Sequence, residues 1–153
     1  MKFITVIILL AVVFGSAAFA EVTKLDVKQR KIIETSAFRQ LHSVKELPSE
    51  LVALCADENN RLADPGQKWQ VSDVIYDKNL PRKRLIWAAT FKDYYVVHYE
   101  KGGYAHSFHV LLAKTEKTPK ILWHGIGVKL SDFNEFKNAL KENKLDDRRE
   151  YIK

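Results

Sequence analysis

The sequence predicts an α+β domain, an antiparallel meander of about five strands with two N-terminal helices and one C-terminal helix packed mainly on one face. Three observations lead there. Apolar residues recur at helical spacing near both ends of the chain, and the middle is a series of short runs rich in aromatic and β-branched residues. The breaks between those runs are short, and a short connection between consecutive strands forces antiparallel pairing.

The first residues stand apart from this domain. Lys2 supplies a charge, Phe3 to Phe14 is an apolar run interrupted only by Thr5, and Ala18-Phe19-Ala20 has the small-x-small pattern that signal peptidase cuts. The run is too short to span a bilayer, which takes about 20 apolar residues. Residues 1–20 are therefore expected to be a cleaved secretory signal peptide and residues 21–153 the exported domain, which would begin at Glu21. The short charged region points to a bacterial periplasm or the medium. Nothing after Ala20 is long and apolar enough to be a transmembrane segment.

Asp26 can cap a first helix, along which Ile33, Ala37, Phe38 and Leu41 fall on one face. Ser49 opens a second, shorter helix with Leu51, Leu54 and Cys55 as its apolar stripe. Asn59-Asn60 and Asp64-Pro65-Gly66 are turn chemistry. Strands are expected over Trp69 to Tyr76, Arg84 to Phe91, Tyr94 to Glu100, Tyr104 to Ala113 and Lys120 to Val128. Lys92-Asp93 and Gly102-Gly103 read as two-residue hairpin turns, the second strongly, because glycine accepts the positive φ such turns demand. Ser131 is placed to cap a last helix bearing Phe133, Phe136 and Leu140. His124-Gly125-Ile126-Gly127 is not a phosphate loop. Its glycines mark a bulge or a close backbone approach.

The whole chain carries 25 Lys and Arg against 19 Asp and Glu. The basic residues at Lys24 to Lys31, Arg82 to Arg84 and Lys114 to Lys120 form no continuous run. They read as a solvated surface, and no nucleic acid is expected as a partner. Cys55 is the only cysteine, so no internal disulfide can form. Its apolar neighbours point to a buried, inert thiol.

A two-residue Gly102-Gly103 turn would set Tyr99 opposite His106 and Val96 opposite His109. One face would then carry Trp87, Tyr94, His98, Glu100, Ser107 and His109, and the other face the apolar core. His98 and His109 would be diagonal neighbours, about 7 Å apart. Aromatic rings mixed with a few ionisable groups are what recognition surfaces use. The binding site is therefore expected at Trp87, Tyr94, His98, Glu100 and His109, on a small exported binding protein of inhibitor, immunity or small-ligand-carrier type, with a protein or small ligand of the cell envelope as partner. The alternative is a small exported hydrolase or metal-dependent enzyme using His98, Glu100 and His109. No G-x-S-x-G, H-E-x-x-H or C-x-x-C motif is present, so the sequence points to no catalytic residue, metal or cofactor.

Overall fold

The computed structural model describes residues 24–147, so the expected signal peptide lies outside the described residues. Helix α1, Val27–Thr35, begins at Asp26, whose carboxylate accepts the Gln29 N–H while the Gln29 side chain accepts the Asp26 N–H. It ends six residues before Leu41. The chain then extends into strand β1, Arg39–Leu41, so the helical spacing of Phe38 and Leu41 does not carry a helix to that point. A 3-10 turn, Val44–Glu46, and helix α2, Ser49–Cys55, follow.

Four long strands form the body of the sheet: β2, Lys83–Phe91; β3, Tyr94–Lys101; β4, Ser107–Thr115; and β5, Pro119–Gly127. Helix α3, Phe133–Lys141, is capped by Asp132, one residue beyond the expected Ser131. A short β6, Leu145–Asp147, is the last element among the described residues. The order is β1-β2-β3-β4-β5-β6, every neighbour antiparallel, an α+β meander.

Both faces of the sheet are covered, because both carry apolar side chains that must leave water. On one face Trp87, Ala89, Val96, Val110, Leu112 and Trp123 pack against Ile33 of α1 and Phe133, Phe136, Ala139 and Leu140 of α3. The two helices are tied by the Arg30 guanidinium, which donates to the Leu140 carbonyl at 3.2 Å. On the other face Leu85, Ala88, Val97, Tyr99, Leu111 and Ala113 pack under Leu51 and Cys55 of α2 and under Leu41 and Leu47. Burial of large apolar side chains on this scale contributes roughly 1.5–3 kcal/mol apiece.

The two hairpin turns come out differently. Lys92-Asp93 is a two-residue turn, with Phe91 opposite Tyr94 and Lys92 at φ 53°. Gly102-Gly103 is not. Lys101 pairs with Ser107, leaving the five residues 102–106 as the connection, and Tyr99 faces His109 instead of His106. The shift of three residues is odd, so every β4 side chain changes face relative to the expectation. The physical cause lies in another loop. Gly102 donates its N–H to the Arg82 carbonyl and Gly103 donates to the Val71 carbonyl. A β-carbon on Gly102 would sit 2.0 Å from the Gln70 carbonyl oxygen. This glycine allows one backbone to press on another, and its donors are spent on that contact.

The loop that presses there is the segment expected to be a strand over Trp69 to Tyr76. It forms none. The Gln70 side-chain amide donates to the Ser72 and Val74 carbonyls, which curls the segment on itself, and Gln70 N–H donates to Pro81. A turn around Asp57 anchors the same region. The Asp57 carboxylate accepts the backbone N–H groups of Asn59, Arg61 and Arg82 at 2.9–3.0 Å. Burial works against its charged form, but these donors and the Arg61 guanidinium outweigh burial and hold its carboxyl below the usual range. Ala63 exchanges hydrogen bonds with Lys83 and Leu85, covering the length of β2 that β1 leaves unpaired.

Candidate functional site

Of the five residues expected to share a binding face, Trp87, Tyr94, His98 and Glu100 do share one, and His109 lies on the other. Trp87 is buried beneath α3, its indole N–H donating to the Leu130 carbonyl at 2.9 Å. Tyr94 lies at the opposite end of the sheet from the 102–106 loop, under the Lys114 ammonium. His98 is fully buried on the Trp87 face. Glu100 is buried on that face near the sheet end, and His109 points to the other face. The open aromatic surface is thus covered by α1 and α3, and His98 and His109 cannot act together. Among the described residues no three of His, Cys, Asp and Glu come together as a metal ion would require.

The environment of His98 is closed. One ring nitrogen, Nδ1, is 2.9 Å from the His109 carbonyl oxygen, to which only an N–H can donate, and Nε2 accepts the Leu130 N–H at 3.0 Å. These two partners select the neutral Nδ1–H tautomer. Burial pushes its pKa down to about 4, against a smaller opposing pull from the His109 carbonyl and the Glu100 charge. His98 is a structural link between the sheet and the segment leading into α3.

Glu100 organises the end of the sheet. Arg84 donates to one carboxylate oxygen through Nε at 2.7 Å and through a terminal nitrogen at 2.6 Å, and His106 Nε2 meets the other oxygen at 2.8 Å. The Arg84 guanidinium also lies over the Trp69 ring, 5.1 Å from its centroid, and Trp69 packs beside His106 at 5.5 Å. This network pins the 69–82 segment, the 102–106 loop and the start of β2 together. Its carboxylate is fully engaged, which suits anchoring more than acid/base work.

A second polar chain crosses the α2 face at the same end. Ser107 Oγ is 2.8 Å from His109 Nε2, and His109 Nδ1 is 2.9 Å from His124 Nε2. Three strands do the positioning. Ser107 and His109 are two apart on β4 and so share a face. His124 comes in from β5, diagonal to His109, because Leu111 pairs with His124 and His109 with Ile126. Tyr99 on β3 stacks flat on the His109 ring, with centroids 5.0 Å apart and planes within 7°. His109 and His124 are buried, whereas Ser107 is half-exposed. Ser107 and His124 were not among the expected site residues. The Ser-x-His spacing on a strand was visible in the sequence, but the partner from β5 depends on a register that only folding sets.

The loops beyond this end carry the most exposed apolar surface among the described residues. Val71, Val74, Ile75, Tyr76 and Tyr104 are exposed, Tyr76 at 83 % and Tyr104 at 96 %. Beside them lies a cleft of about 280 Å³ whose lining includes Arg61, Gln70, Ile75, Asp77, Lys78 and Arg82. A smaller cleft of about 150 Å³ opens at Arg84, Glu100 and Lys129. No helix among the described residues is long and apolar enough to cross a membrane. No protein-family model, curated protein or solved structure matches the chain.

Proposed function

We propose that the chain is a small exported binding protein that engages a protein partner through the loop surface formed by residues 70–80 and 102–106. One observation carries this. Five large apolar side chains stand in solvent on two loops joined by the Gly103–Val71 hydrogen bond. Single exposed hydrophobes are ordinary, but a cluster on adjoining loops marks an interaction site. Tyrosine at the centre of such a cluster is a common source of binding energy. The loops are held from behind by Glu100, Arg84, Trp69 and Asp57, so little ordering entropy remains to be lost on binding.

A protein partner suits this surface better than an enclosed small ligand. Both sheet faces are filled by side chains, and the 280 Å³ cleft is at the small end for a ligand pocket. Charge along the loop is mixed, with Lys68, Lys78 and Arg82 against Asp73 and Asp77, which is not the basic stripe that nucleic acid calls for. Export rests on the signal-peptide pattern of Lys2, Phe3 to Phe14 and Ala18-Phe19-Ala20. The intact mass of the protein recovered from the envelope or medium tests it. Chains starting at Glu21 are expected, and a retained Met1 overturns export by this route.

The binding surface is tested by placing a photo-crosslinking phenylalanine analogue at Tyr76, at Tyr104 or, as a control, at exposed Val27 on α1. In the native compartment, positions 76 and 104 are expected to give the same discrete adduct and position 27 none. The surface assignment fails if all three positions react alike or if none reacts.

A further inference from the structure

The Ser107–His109–His124 chain has the connectivity of an activated nucleophile, and we propose that it is a serine esterase site, with Ser107 as nucleophile, His109 as general base and His124 as the group that orients the base. This goes beyond the binding reading and does not rest on it. Nucleophilic serine needs a base within hydrogen-bond reach and a third group that holds the base in one tautomer. Both contacts are present at the nitrogens this arrangement uses: Nε2 of His109 lies 2.8 Å from the hydroxyl oxygen, and Nδ1 lies 2.9 Å from His124 Nε2. With the proton on Nδ1, His109 donates to His124 and accepts from Ser107 Oγ–H. The stacked Tyr99 ring prevents the imidazole from turning away.

The surroundings fit an ester more than a charged or bulky substrate. Ser107 sits where β4 leaves the hairpin, half-exposed, while the two histidines behind it are buried. Directly across on β3 its pair partner is Lys101, an exposed ammonium on the same face and within reach of an oxyanion forming at a carbonyl attacked by Oγ. On the other flank Ile126 pairs with His109 and exposed Val128 follows, an apolar edge for a short acyl chain.

The chemistry balances with water as the only co-reactant. Ser107 Oγ attacks the ester carbonyl carbon and its proton passes to His109 Nε2. The tetrahedral adduct, its oxyanion facing Lys101, expels the alcohol, which leaves with the proton from Nε2. An acyl–Ser107 ester remains. Water then attacks that ester while giving a proton to Nε2, and collapse returns the proton to Oγ and releases the carboxylic acid.

The test uses a fluorophosphonate probe and p-nitrophenyl butyrate on the purified protein. Expected are one phosphonyl group per chain, mapped by mass spectrometry to Ser107, and ester turnover lost at least tenfold in Ser107→Ala. His124 is a positioning residue, so His124→Gln, which keeps an acceptor for the Nδ1 proton, should retain most turnover, whereas His124→Phe should not. A second measurement holds even if the histidine variants fail to fold. In Ser107→Cys the introduced thiol should alkylate with a pH midpoint well below the ordinary thiol value of about 8.5, while buried Cys55 stays silent. Labelling elsewhere, turnover unchanged by Ser107→Ala, or an alkylation midpoint at the ordinary thiol value in Ser107→Cys overturns the proposal and leaves the three side chains as a structural hydrogen-bond chain.

Discussion

Leu130 donates its backbone N–H to His98 Nε2 at 3.0 Å, tying the entry to α3 to the centre of the sheet through a ring that has to stay neutral. Protonating Nε2 would set a cation against an N–H donor in a site with no access to water. In the unfolded chain the same imidazole takes a proton near pH 6.5, whereas in the fold it does so only near 4. Between those values the unfolded state binds the extra proton. Stability is therefore full above about pH 6.5, falls as the pH drops toward 4 and levels off below. The total is on the order of 3 kcal/mol. Denaturant melts at several pH values, compared with His98→Gln, check this. The variant should lose less stability than wild type over that window, and equal slopes would falsify the assignment.

Trp87 supplies core volume, not a contact surface. Its ring packs beside Phe133 and Phe136, and its indole N–H is paired with Leu130. Trp87→Ala should cost about 3–5 kcal/mol in a denaturant melt, from the cavity together with an orphaned carbonyl. A loss under about 1 kcal/mol would mean that α3 does not cover this face.

Gly125 lies under the Trp123 ring. A β-carbon there would come within 2.3 Å of Cη2 and 2.5 Å of Cζ2. Gly125→Ala should therefore destabilise by about 1–3 kcal/mol, since the indole would have to leave its place in the core and release the Asp147 carboxylate that its N–H reaches. Trp123 fluorescence should change along with stability. A silent substitution would show that the ring does not lie there.

Cys55 is fully buried among Leu41, Leu51, Leu85 and their neighbours. A thiol reagent should modify it slowly in the native protein and rapidly in denaturant. Cys55→Ser should cost about 1–3 kcal/mol, because a hydroxyl enters an apolar site. Equal native and denatured labelling rates would contradict the packing of α2 on the sheet.

Much of the fold was legible locally. The four long strands fall within three residues of the runs expected for them, Lys92-Asp93 is the turn its position suggested, and Phe133, Phe136 and Leu140 form the buried face of α3. Gly127 is a close backbone approach, to the Lys144 carbonyl, as the glycine spacing in a strand implied, whereas the group that crowds Gly125 is the Trp123 ring. The short edge strands β1 and β6 were not legible, since three residues are too few to show a period and each owes its form to a neighbour's unpaired edge.

Sequence alone determined what depends on each segment's own chemistry: α+β content, a meander with short connections, a buried cysteine, and histidines gathered in the central strands. Tertiary structure alone decided which of those histidines meet. Gly102-Gly103 satisfies the local requirement for a tight turn, yet the carbonyls of Gln70, Val71 and Arg82, distant along the chain, take up its donors and its free space. The connection lengthens from two residues to five, β4 slides by an odd number, and every side chain on it changes face. That slide parts His109 from His98, sets it between Ser107 and His124, and closes the Trp87 surface under α1 and α3. Alternation along a strand is a local property. Its phase relative to the next strand is set by whatever packs against the turn.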